Sequence, residues 1–70
     1  MKEITTTEDK YILCHNNAEI IHCVLLKESN KLSTGLEFVE EFTSITDVKN
    51  RINVLAKDEN YFDNNFSDLN

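Results

Sequence analysis

The sequence predicts a small α+β domain in which a short antiparallel sheet packs on one helix. Three observations predict it. Two β-rich runs meet across an Asn-Asn turn between residues 10 and 26, an aromatic run follows near 36–42, and an amphipathic segment with a helix start covers about 44–57. At 70 residues the chain is one domain at most. A core of that size rarely nets more than ~3–5 kcal/mol without a disulfide, a metal or a neighbour.

The first nine residues are polar and read as a loose lead-in. Tyr11-Ile12-Leu13-Cys14-His15 is strand-like, Asn16-Asn17 tolerates the positive φ of a hairpin turn, and Glu19 to Leu26 returns as a strand rich in β-branched residues. Lys27 to Lys31 breaks the pattern. Leu32-Ser33-Thr34 has room for a short third strand ended by Gly35, the one glycine of the chain.

Leu36-Glu37-Phe38-Val39-Glu40-Glu41-Phe42 fits two periods. Leu36, Phe38 and Phe42 share a face at strand spacing, while Leu36, Val39 and Phe42 nearly share one at helical spacing. A strand fits better, because aromatics dominate and a helix start follows at once. That start, Ser44-Ile45-Thr46-Asp47, matches the capping-box pattern with Asp in place of Glu or Gln. Ile45, Val48, Ile52 and Leu55 then form one apolar stripe. Asp47 in the first turn, with Lys49, Arg51 and Lys57 further along, suits the helix dipole.

Residues 1–57 therefore make the expected domain, and residues 58–70 an extended, acidic, Asn-rich tail with isolated aromatics. Alone, such a tail buries too little apolar surface to offset its ordering entropy. The chain has no proline and no internal repeat.

Thirteen acidic against seven basic residues give a net charge of −6. Phosphate backbones are held by clustered Lys and Arg, so a nucleic-acid partner is not expected, nor is an anionic membrane surface. A basic protein surface is a better match for the charge. No secretory leader pattern follows Met1, which gives the expectation of a chain made in a cytosol, and no apolar run approaches the ~18 residues of a membrane span.

Cys14-His15 and His22-Cys23 mirror each other within the hairpin and together supply the ligand types of a structural zinc site. Neighbouring strand residues point to opposite faces, so neither Cys-His pair easily reaches one ion. An even-length turn would put Cys14 and Cys23 on one face with Ile12, Ile21 and Leu25, and His15 and His22 on the other with Tyr11, Leu13 and Ile20. The first set reads as core, in which free cysteine behaves as a small hydrophobe; a cross-strand disulfide and a metal site are the alternatives.

Nucleophilic catalysis needs an activated thiol or hydroxyl, and the one available pair, Cys14 with His22, points apart on this assignment. Glu40-Glu41 and Asp58-Glu59 are adjacent in sequence, which is not convergence in a cleft. A single glycine excludes glycine-rich phosphate loops. Ligand pockets of roughly 300–1,000 Å³ need walls on several sides, which a one-layer core does not provide. The expectation is no enzyme, no cofactor, no metal and no small-molecule substrate.

Phe62, Phe66 and Leu69 recur at helical spacing with Tyr61 beside them. As a helix, the tail would present them as one stripe suited to a partner's groove; in the blander alternative Tyr61 and Phe62 fold back on the chain's own sheet. Tyr61, Phe62, Phe66 and Leu69 are thus the candidate partner-binding residues.

The stretch Thr34-Gly35-Leu36-Glu37-Phe38-Val39-Glu40-Glu41-Phe42-Thr43-Ser44, leading into Asp47-x-x-x-Arg51-Ile52-x-x-Leu55, resembles a pattern seen in small uncharacterised virion-associated proteins of tailed bacteriophages. It covers about a third of the chain and holds no catalytic signature. The resemblance implies a virion component or assembly accessory whose partners are other protein subunits, whether virion proteins or copies of itself. The second expectation is a small acidic inhibitor or adaptor on a basic surface of a host protein.

Overall fold

A computed structural model describes residues 2–16 and 19–67. The elements run β1 (Lys2–Thr5), β2 (Lys10–Asn16), β3 (Glu19–Glu28), β4 (Leu36–Phe42), α1 (Ile45–Ala56) and α2 (Tyr61–Asn65). The strands form one antiparallel sheet in chain order, β1-β2-β3-β4, which leaves β1 and β4 as its edges. The α+β class is the one the sequence predicts, with the hairpin, the 36–42 strand and the long helix where they were expected.

The lead-in is not loose. Lys2–Thr5 pairs with β2, and Ile4 is fully buried opposite Tyr11. Thr6 closes the connection: its amide donates to the Asp9 carbonyl at 2.9 Å, and its hydroxyl accepts the Asp9 amide at 2.9 Å. A Thr side chain that bonds the backbone two or three residues on is a turn device that needs no glycine. Residues 30–35, by contrast, hold turns where a third strand had room. Gly35 closes them at φ 75°, donating to the Leu32 carbonyl at 3.0 Å.

Two register shifts decide which face each side chain takes. Between β2 and β3, His15 lies opposite Cys23 but Asn16 lies opposite Glu19, so three residues of β3 answer a single step of β2. An odd shift flips every later side chain to the other face. Cys23 therefore joins Leu13 and Leu25 in the core, while Cys14 pairs with Val24 on the opposite face. The expected core set of Ile12, Cys14, Ile21, Cys23 and Leu25 is thereby corrected. Cys23 and Leu25 are buried as expected, but Tyr11, Leu13 and Ile20 join them in place of Ile12, Cys14 and Ile21, and the two cysteines are free thiols on opposite faces.

The second shift sits between β3 and β4. Leu25 faces Glu40 and Leu26 faces Phe38, which makes Val39 one extra residue on β4. Leu36 and Phe38 consequently face away from the core, and Phe42 faces into it. The single face expected for these three side chains does not form.

α1 buries Val48 and Ile52 on the sheet, with Leu55 packed beside them. Ser44 is its N-cap residue in extended conformation, yet no side chain caps the helix. The expected capping box with Asp47 is absent; an Asp is one methylene short of the usual Glu. At the other end Lys57 takes the left-handed conformation at φ 56°. The Lys57 amide donates to the Val54 carbonyl at 3.2 Å and the Asp58 amide to the Asn53 carbonyl at 3.1 Å, the pair of bonds of a Schellman motif.

Residues beyond 57 continue the same packed unit, against the expectation of an extended tail. Tyr61–Asn65 form α2, and Phe62 and Phe66 are each 1% exposed in the core shared with Ile4, Leu13 and Ile52. Five helical residues are too few to persist alone. Asn53 on α1 fixes them: its Oδ1 accepts the Phe62 amide at 2.8 Å and its Nδ2 donates to the Glu59 carbonyl at 3.0 Å.

Candidate protein interaction surface

Both helices pack on one face of the sheet, and among the described residues the other face has no second layer. In register across all four strands it carries Glu3, Ile12, Leu26 and Phe38. Cys14 and Val24 lie on one side of that row and Leu36 on the other. Ile12, Cys14, Val24, Leu26 and Leu36 are half-buried by one another, whereas Phe38 on the edge strand is 63% exposed. A contiguous apolar patch rimmed by charge is a mark of interaction surfaces, unlike apolar residues scattered singly.

The rim is mainly acidic. Lys10 stands on this face between Glu3 at 3.3 Å and Glu28 at 3.7 Å. The hydrogen bond to Glu3, then the charge of Glu28, push its ammonium pKa up. Glu41 lies opposite Val24 on the same face, and Glu37 stands on the edge strand with its register partner Lys27 turned away to Asp9 at 3.5 Å. The remaining cations of the helical side are engaged as well: Lys49 with Asp63 at 3.3 Å, Arg51 with Glu40 at 3.5 Å and Lys57 with Glu8 at 3.1 Å. The Arg51 Nε makes no hydrogen bond, so its contact is an ion pair alone. Among the described residues, neither Glu37 nor Glu41 forms an ion pair.

The candidate partner-binding residues of the sequence fall elsewhere. Phe62 and Phe66 stack in the core with ring centroids 5.1 Å apart, and Tyr61 packs half-buried against it. Such side chains are satisfied internally and offer no stripe to a partner. Leu69 lies outside the described residues. Sequence reasoning missed Ile12, Leu26 and Phe38; an apolar residue at every second position of three consecutive strands was the available signal, but the odd shift hides which set faces out.

Cys23 is buried and its thiol lies 2.8 Å from the Ile20 carbonyl. Burial, with the Cys14 sulfur adding to it, pushes its pKa up to about 11. That suits a core thiol rather than a nucleophile. His22 is exposed and His15 half-buried. Among the described residues no three His, Cys, Asp or Glu side chains converge as metal ligands. A surface depression of about 350 Å³ is lined in part by Glu8, Asp9, Lys10 and Glu28, whose charges are taken by the ion pairs above. Among the same residues no helix is long and apolar enough to cross a membrane.

No protein-family model matches the chain, and comparison with curated proteins and with solved structures gives no significant match.

Proposed function

We propose that this chain is a structural or assembly protein that works by protein–protein contact, through the open face of its sheet. The observation that carries this is the uncovered row Ile12–Leu26–Phe38, continuous across β2, β3 and β4. Its occupant is a different protein, with an apolar patch bordered by Lys or Arg. Charge complementarity favours that partner over a second copy, which would set Glu3, Glu28 and Glu41 against the same carboxylates. A minor bacteriophage virion component is the setting that the resemblance over residues 34–55 implies. Two carboxylates outside any ion pair, Glu37 and Glu41, also support a second reading, an acidic inhibitor or adaptor seated on a basic host surface.

Site-specific photo-cross-linking tests the face. A benzophenone side chain at position 38 should give one discrete adduct in the native host extract. The same group at Val54, 66% exposed on α1, should give none. The cross-linked peptide of the partner should hold apolar residues flanked by Lys or Arg, and the yield should fall as salt rises. Adducts from position 54 alone, or an adduct that is a second copy of the chain, would overturn the proposal. A partner found in purified particles favours the assembly role, and a free cytosolic partner the inhibitor.

A further inference from the structure

β4 is the longer edge of the sheet, seven residues against four in β1. An edge strand presents unpaired backbone N–H and C=O groups, and proteins commonly blunt it with bulges and charges. β4 has both, a bulge at Val39 and the carboxylates of Glu37, Glu40 and Glu41. All three charges have one sign. They repel a second copy of this edge but attract a strand bearing cations. Phe38 is 63% exposed, and among the described residues no strand lies beyond it to cover its outer side.

The geometry points to β4 as the edge on which an extended segment of a partner protein, alternating apolar residues with Lys or Arg, adds as a fifth strand. Leu36, Phe38 and Glu41 face the open side, whereas Glu37 and Glu40 face the helices, since the single extra residue keeps the alternation on either side of it. In an added strand, side chains alternate in the same way. Its apolar residues then lie beside Leu36 and Phe38 and extend the open-face row, while a cation lies beside Glu37, Glu40 being held by Arg51. Main-chain bonds supply affinity and the alternate side chains supply selection. This rests on the docking role above and names the element that carries it.

The test uses the full ¹⁵N-labelled chain and a capped heptapeptide alternating lysine and valine. Two analogues are N-methylated, one on the valine amides and the other on the lysine amides. In a strand alternate amides point to opposite edges, so one analogue should bind like the parent and the other at least tenfold more weakly. Amide shifts should concentrate at residues 36–42. Glu37→Lys, at an exposed position outside any ion pair, should weaken binding several-fold. Equal binding by both methylated analogues would show charge attraction without strand pairing and overturn the inference, as would unchanged affinity in Glu37→Lys. If strand addition fails while cross-linking from position 38 holds, docking on the face survives without the fifth strand. Loss of that cross-link removes both.

Discussion

Phe62 and Phe66 lie one helical turn apart with their ring planes within 4° of parallel, both buried against the sheet. Their position makes the segment after α1 part of the core.

Truncation should therefore unfold the protein. Phe→Ala in a core costs ~3–5 kcal/mol, about the whole net stability of a chain this size. Phe66→Ala should lose its cooperative urea transition, and a chain ending at residue 57 should give a collapsed amide spectrum. Asp63→Ala, exposed on α2, should stay within about 1 kcal/mol of wild type because it removes only a surface ion pair. A dispersed spectrum from the shortened chain would show that the sheet and α1 suffice.

Alkaline pH should destabilise the fold through Cys23. Its pKa is raised from 9.0 to about 11 by burial, so the unfolded chain loses this proton first as pH rises. The stability it contributes is full below pH 9 and is lost on the way to pH 11, with a slope of at most about 1.4 kcal/mol per pH unit. Lys10, whose pKa is also raised, acts in the same direction at higher pH. Urea midpoints of wild type and Cys23→Ala from pH 8 to 10.5 measure it. The variant should show the shallower decline, and parallel curves would remove Cys23 as the cause.

Lys57→Gly should stabilise the protein. A non-glycine residue in the left-handed region is strained, and glycine relieves this at some cost in unfolded-state entropy, leaving about 0.5–1 kcal/mol in favour. The Lys57–Glu8 pair that is lost is about 70% exposed on both sides and contributes little. A lower thermal midpoint in the variant would mean that this pair outweighs the strain.

Much of the fold was legible because its signals are local. The hairpin, the aromatic strand and the stripe Val48–Ile52–Leu55 each follow from spacing within a dozen residues. β1 was hidden because Lys2-Glu3-Ile4-Thr5 offers one apolar residue and the turn after it relies on the Thr6 hydroxyl rather than on glycine or proline. The open apolar face was hidden for another reason. Strand alternation divides residues into two sets without saying which is inside, and the shift at residues 15–16 reverses the answer an even turn gives. Phe62 and Phe66 were visible as a stripe, but their direction depends on Asn53, nine residues before Phe62, whose bonds to Glu59 and Phe62 turn the chain back.

The Lys2 ammonium sits 5.4 Å from the centre of the Phe66 ring, and its Nζ is 3.4 Å from the Asn65 carbonyl oxygen. Residues more than sixty positions apart in sequence thus meet on one side of the molecule. A short linker between these points would close the chain into a ring, and the exposed turn at residues 31–33 offers a place to reopen it, since Gly35 rather than those side chains fixes the turn. The same closeness lets the whole domain be spliced into a surface loop of another protein as a display module, since β1 and α2, its first and last described elements, meet there.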